Sequence, residues 1–210
     1  MYDFGEAAMG TYESARNRTR KQIEESFWEL YESDDIDRVT VNDICRNAGI
    51  TRSTFYYHYK DTNEVLDSIK RKQMELITEL FESSNNEDRD YQNFIPRFQE
   101  LFIENERYLI PLVMEYKDPE FAKEYRGYIA AMMKNDLQLK IDSKNDNVEE
   151  TIDILLSGLS HMFLDCLASR IITLDDANNL SNGMINTGLR WILKEKYGVN
   201  LGFRRMVNNN

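Results

Sequence analysis

The stretch Gly49 to Asp61 reads GITRSTFYYHYKD and gathers side chains that bind polyanions. Arg52 and Lys60 carry fixed positive charge, His58 a titratable ring, and Ser53 a hydroxyl. Tyr56 and Tyr57 add flat apolar rings tipped by one donor. No acid occurs from Ile44 to Lys60, although the formal net charge is −11. Such a charge argues against nucleic acid spread over the whole surface and leaves room for one local patch. Arginine pairs bidentately with guanine O6 and N7; tyrosine touches thymine methyls or bonds phosphate oxygens. Catalysis is poorly served. His58 has no nucleophile or carboxylate partner nearby in sequence, and His161 with Asp165 at i, i+4 lacks the third and fourth ligands of a metal site. No motif for a nucleophile, a metal or a phosphate loop stands out, so no cofactor is expected and an enzyme is disfavoured.

The elements that must position these residues are helical. Ile23, Phe27, Leu30 and Tyr31 recur at i, i+4, i+7, i+8, one amphipathic stripe. TVNDICRNAG opens with Thr40, has Asp43 three residues on, and stops at Gly49, which suits a C′ position with positive φ. Thr51 caps a second short helix that runs to Tyr59. Two helices of about eight residues around AGIT have the spacing of a helix-turn-helix. Val41, Ile44, Ala48, Ile50 and Phe55 supply its small core, and Phe55 and Tyr59, four apart, face inward. Asp61 or Thr62 caps the next helix, whose stripe runs from Val65 to Phe81. SNNEDRD is the boundary. Beyond it Pro111 begins or kinks a short helix, Asp118 and Pro119 open a longer one, and two long helices close the chain, the last ended by Gly198. The count is about nine helices and no strand.

Totals agree. A 210-residue chain that is 41% hydrophobic buries a sizeable core, and 3 prolines with 9 glycines are too few for a many-turned β fold. No apolar run reaches the ~18 residues of a membrane span, and the start, MYDFGEAAMG, lacks signal-peptide character. Cys45 and Cys166 are isolated, as in a reduced cytoplasmic protein.

VTVNDICRNAGITRSTFYYHYKDTNEVL resembles the DNA-binding domain of the tetracycline-repressor (TetR) family. Thr40, Ile44, Ala48-Gly49-Ile50, Thr51, Thr54-Phe55-Tyr56 and His58-Tyr59-Lys60-Asp61 carry the resemblance, which covers about residues 16–75. It implies that Arg52, Ser53 and Tyr56 read bases and that Asn42 sometimes does. It implies phosphate contacts for Thr40, Thr51, Tyr57, His58 and Lys60. Thr40 and Thr51 read equally well as helix caps, and Asn42 as a solvated residue. The cluster Arg16, Arg18, Arg20 and Lys21 suits phosphates, the minor groove or a solvated helix start.

The second half is rich in aromatics and methionine. Most of these residues read as ordinary core. An adaptable apolar pocket would draw on Phe98, Phe102, Tyr116, Phe121, Tyr125, Tyr128 and Met132, with His161 as a polar contact. Charged neighbours such as Arg126 and Lys134 fall on other helical faces. The closing helices each carry two apolar stripes, one more than a single packed helix needs. In the first, Val148, Ile152, Leu155, Leu159, Met162 and Cys166 follow near-heptad spacing. The resemblance implies dimerisation through these two helices, which places Leu155, Gly158, Leu159, Met162, Met184, Gly188 and Trp191 at an interface.

The expected protein is all-α: a three-helix helix-turn-helix domain over 14–62, a linking helix over 62–83, and a regulatory and dimerisation domain over 84–198. Its expected partners are double-stranded DNA with a near-palindromic operator, a second copy of itself and a small apolar or aromatic effector that releases it; no membrane is involved. The alternative is a DNA-binding regulator whose second domain answers to a protein partner.

Overall fold

The structure, a computed structural model, describes residues 4–33, 36–83, 91–115, 117–136, 146–169, 176, 179 and 183–198. Among them every regular element is helical. In chain order these are α1 (Phe4–Ser33), a 3₁₀ turn (Ile36–Arg38), α2 (Val41–Ala48), α3 (Arg52–His58), α4 (Thr62–Ser83), α5 (Tyr91–Leu109), a π-helical turn (Ile110–Met114), α6 (Pro119–Asp136), α7 (Asp146–Ser169), a second π-helical turn (Met184–Leu189) and α8 (Arg190–Tyr197). Internal contacts divide the chain into two compact units, Met1–Glu75 and Leu76–Asn210, so the division falls inside α4.

In the first unit α1 begins at Phe4, well before the basic cluster where the sequence suggests a start. Alanine, glutamate and methionine over residues 6–9 are strong helix formers, and the two glycines nearby do not interrupt the run. Ile23, Phe27, Trp28 and Tyr31 of α1 pack with Ile44 and Ala48 of α2, Phe55 of α3, and Val65, Leu66 and Ile69 of α4 as buried core. Full burial of side chains of this size contributes about 1.5–3 kcal/mol each. The turn between α2 and α3 is set by Gly49, whose φ of 65° lies in the left-handed region where a Cβ is penalised. Its N–H bonds back to Cys45 O, and Ile50 N follows to the same carbonyl at 3.0 Å, which closes α2.

In the second unit Asp118 caps α6 through Phe121 N at 3.0 Å, with Pro119 at the first helical position. Pro111 opens the short helical element expected around Leu112. It lies in a π-helical turn that continues α5, where Glu115 N reaches Ile110 O at 2.9 Å. One core joins Ala130, Val148, Ile152, Leu156, Leu159, Leu189 and Leu193. Phe98 and Phe163 add a ring pair at 5.6 Å. Gly198, φ 68°, closes α8. Among the described residues no helix is long and apolar enough to cross a membrane. Both cysteines are free, Cys45 buried and Cys166 partly exposed.

Candidate nucleic-acid interface

Helix α3 turns two faces to different media. Phe55 is buried and Tyr59, just past the helix end, is buried beside it, with ring centroids 6.2 Å apart. Arg52, Ser53, Tyr56 and Tyr57 are exposed, Tyr56 at 50% and Tyr57 at 60%. Asn42 in the first turn of α2 is also exposed, as is Lys60. The sequence expectation that Phe55 and Tyr59 are core while the flanking residues face outward holds in the geometry.

The two threonines are caps. Thr51 Oγ1 accepts from Thr54 N at 3.1 Å, and shares short contacts of 2.8 Å with both Ser53 Oγ and Thr54 Oγ1. Thr40 Oγ1 accepts from Asp43 N at 3.2 Å and donates to Asp43 Oδ2 at 2.5 Å. Asp43 in turn accepts from Arg46 at 2.7 Å. The Thr40 hydroxyl, followed by the Arg46 charge, holds the Asp43 carboxyl below its ordinary pKa. In this state the hydroxyl of Thr40 is committed to Asp43. Asp61 caps α4: its Oδ1 accepts from Glu64 N at 2.9 Å, while Glu64 reaches back to Lys60 N.

Arg52 lies along Tyr56. Its Nη2 donates to the Tyr56 hydroxyl at 3.3 Å and its guanidinium carbon stands 5.8 Å from the ring centroid. That bond raises the guanidinium pKa further. His58 is half-buried, with Nδ1 buried and lacking a hydrogen-bond partner and Tyr57 edge-on at 5.0 Å. Burial first, then the charges of Arg16 and Arg20, holds its pKa below the ordinary histidine value. The ring is therefore neutral near pH 7. An unpartnered buried acceptor is less costly than an unpartnered buried N–H, so the proton belongs on Nε2.

The basic cluster on α1 splits. Arg16 and Arg18 are exposed, and Lys21 pairs with Glu25 at 3.7 Å. Arg20 points inward, which sequence reasoning missed. It donates to the Tyr59 hydroxyl at 3.2 Å and to Ser68 Oγ at 3.0 Å. Both hydroxyls donate to one oxygen of Glu24, at 2.5 Å and 2.9 Å. Arg20, Tyr59, Ser68 and Glu24 thus form a closed circuit tying α1 to the end of α3 and to α4. The Arg20 guanidinium is therefore engaged within the unit through Nε and Nη2. The one sequence signal was the i, i+4 pairing of Arg20 with Glu24.

In the second unit Phe98, Phe102, Phe121, Tyr125 and Met132 are buried and Tyr128 is half-buried. Tyr116 lies outside the described residues. Burial raises the Tyr125 hydroxyl pKa well above the usual range. The expectation that charges avoid this region is corrected by Arg126: it donates to Val113 O at 3.0 Å and stands 3.4 Å from His161 Nδ1, because Val113 belongs to the π-helical turn facing α6. His161 Nε2 pairs with Asp165 at 3.2 Å. Lys134 pairs with Asp153 at 2.7 Å. Among the described residues no three His, Cys, Asp or Glu are grouped to hold a metal ion.

The interface residues divide as well. Leu159 is packed in the unit's own core, together with Val148 and Ile152 of the same expected stripe, and so is not free to meet another chain. Leu155 and Met162 are partly buried against that core. Gly158, Gly188, Met184 (47%) and Trp191 (65%) are exposed. Ile154, which the sequence reading did not single out, is exposed at 65%.

Residues 28–69 match the family described as bacterial regulatory proteins, tetR family. A curated relative, the uncharacterized HTH-type transcriptional regulator YxbF of Bacillus subtilis (strain 168), is 37% identical over 93 residues, 40% of this chain and 24% of the relative. The match thus spans about a quarter of that relative's length. Among solved structures the fatty acid degradation regulator FadR from Bacillus halodurans superposes with a TM-score of 0.53 at 14% identity, over 81% of this chain and 96% of that one. That likeness is one of fold.

Proposed function

We infer, from the premise that this chain carries a tetR-family DNA-binding domain at residues 28–69, that it is a DNA-binding transcriptional regulator. The observation that carries this reading is the exposed face of α3. Arg52, Ser53, Tyr56 and Tyr57 face solvent on a helix aimed by the left-handed Gly49 turn, inside a stretch without acids. Recognition helices present their first turns to base edges in the major groove. Lys60 and the Nε2 N–H of His58 supply phosphate donors beside it. Thr40 serves as a cap first, and contacts a phosphate only by giving up Asp43.

The regulator works in the cytoplasm as a homodimer on a near-palindromic operator, its half-sites ~34–36 Å apart. Ile154, Met184 and Trp191 support the dimer, as large exposed apolar side chains on α7, the second π-helical turn and α8. A Cβ at Gly158 or Gly188 would meet nothing within 4 Å, leaving room for a helix from a second copy. The protein is a repressor released by a largely apolar effector with one or two polar groups. Phe98, Phe102, Phe121, Tyr125 and Met132 form its walls, with Tyr128 and His161 as polar contacts. Coupling of this kind is typically ~1–3 kcal/mol.

Selection of binding sites from a random duplex pool with the full-length protein tests the reading. The expected result is a palindromic consensus bound by a dimer. Thermal melting against a panel of hydrophobic metabolites then finds the effector, which raises the midpoint by mass action and lowers operator affinity. Tyr128→Ala should blunt that response and leave DNA affinity intact. Failure to enrich any sequence would sink the regulator reading; enrichment without any responsive compound would remove the effector.

A further inference from the structure

We propose that Arg52 and Tyr56 act as one reading unit, in which Tyr56 holds the Arg52 guanidinium in place and the guanidinium reads a guanine at one base pair of each half-site. The proposal rests on the DNA-binding reading above and changes one role in it: Tyr56 becomes a positioning residue, and base recognition passes to its neighbour.

Two arginines lie in the acid-free stretch, and they are held differently. Arg46, on the surface, is already paired with a carboxylate, Asp43, at 2.7 Å. Arg52 has no carboxylate within ion-pairing distance among the described residues; its partner is the Tyr56 hydroxyl at 3.3 Å and the Tyr56 ring at 5.8 Å. The ring is itself fixed from below. Its plane meets that of buried Phe55 at 90° with centroids 5.6 Å apart. A chain of contacts therefore runs from the core, through Phe55 and Tyr56, to an exposed guanidinium.

The chemistry of the guanidinium explains the arrangement. A free arginine side chain samples many rotamers, and ordering it on a base opposes binding. Resting the plane on a fixed ring removes part of that cost before DNA arrives. The fork has five N–H donors; one given to the Tyr56 hydroxyl leaves the others for guanine O6 and N7. Lysine, a point charge without a plane, cannot be held this way.

Site selection with the full-length protein and its variants tests the pair. Wild type should enrich guanine at one position per half-site, by roughly five- to hundredfold over other bases. Arg52→Ala and Arg52→Lys should both erase that preference. Tyr56→Phe keeps the ring on Phe55, so folding is retained, but loses the hydroxyl. It should weaken the guanine preference at the same position about two- to tenfold and leave the other positions alone. The double variant Arg52→Ala with Tyr56→Phe should match Arg52→Ala. A Tyr56→Phe effect at another base pair, a uniform loss on all sequences, no effect, or additivity in the double variant overturns the proposal while the DNA-binding reading stands. A wild type that enriches no sequence overturns the reading itself.

Discussion

Tyr59→Phe removes one hydroxyl and leaves the ring beside Phe55. That hydroxyl accepts from Arg20 Nε at 3.2 Å and donates to Glu24 at 2.5 Å, so two bonds to charged partners disappear together. Bonds to charged groups contribute about 1.5–3 kcal/mol each. Arg20 and Glu24 are only partly buried and keep Ser68, so water replaces some of the loss. The expected cost is about 2 kcal/mol. Trp28 is a suitable reporter because it is buried in the same unit, whereas Trp191 is exposed in the other and can be replaced by Phe. Urea unfolding of the Trp191→Phe protein, followed by fluorescence, then reports the first unit alone. With a slope near ~1 kcal/mol/M, the Tyr59→Phe midpoint should fall by about 1–2 M. Arg20→Met added to it should cost less than the sum of the two, since both act on one circuit. A midpoint within about 0.3 M of the parent refutes the reasoning: Tyr59 would then contribute only its ring.

Lys60→Ala should lower the slope of log affinity against log salt by about one unit on specific and non-specific DNA alike; an unchanged slope removes Lys60 from the phosphate contacts. His58 has its folded-state pKa depressed by burial, so the unfolded chain takes up the proton first as pH falls. The contribution to stability is full above about pH 6.5 and is lost as pH drops through the folded value; His58→Gln should flatten the melting profile between pH 7 and 5, and parallel profiles would contradict this. Asp43 is likewise depressed, chiefly by the Thr40 hydroxyl, so its contribution is present above about pH 4 and lost below. Thr40→Ala should move the Asp43 titration, followed by NMR, back up. Ile154→Glu should give a folded monomer in light scattering, whereas Leu159→Glu should unfold the second unit, because a buried unpaired charge costs several kcal/mol; a dimeric Ile154→Glu protein moves the interface elsewhere.

What the sequence disclosed was local. Gly49 as the αL stop of α2, Thr51 as the cap of α3 and Asp118 as the cap of α6 depend on residues within five positions, and each was readable. The circuit on Tyr59 was not. Its partners lie 35 and 39 residues away, and a tyrosine in an apolar stripe gives no sign of where its hydroxyl goes. Among the candidate contacts, exposure of Arg52, Ser53, Tyr56 and Tyr57 followed from helical period, while the orphaned Nδ1 of His58 and the Arg52–Tyr56 pair needed coordinates. The misreading of α7 has a simple cause. Val148, Ile152, Leu155, Leu159 and Met162 keep a 3.5-residue spacing, yet the helix buries Val148, Ile152, Leu156, Leu159 and Phe163. That is the pattern of an ordinary 3.6-residue helix, whose faces drift about 20° per heptad from a coiled-coil seam. Pro111 was legible as the start of a short helix, but its π character was not. A π-helical turn needs one more residue per turn, and the proline, which has no N–H to donate, sits at its start.

The two π-helical turns also bear on how the chain tolerates insertion and deletion. Each carries one surplus residue compared with an α turn, at Ile110–Met114 and at Met184–Leu189. Deleting a single residue from either would restore the α pattern and leave the flanking helices nearly in register, because the wider turn has already absorbed the surplus residue. The change would stay local: in the first turn it would remove the bulge that presents the Val113 carbonyl to Arg126. Alignments of relatives should therefore expect single-residue gaps at these two places, and a gap there marks a local change rather than a loss of fold.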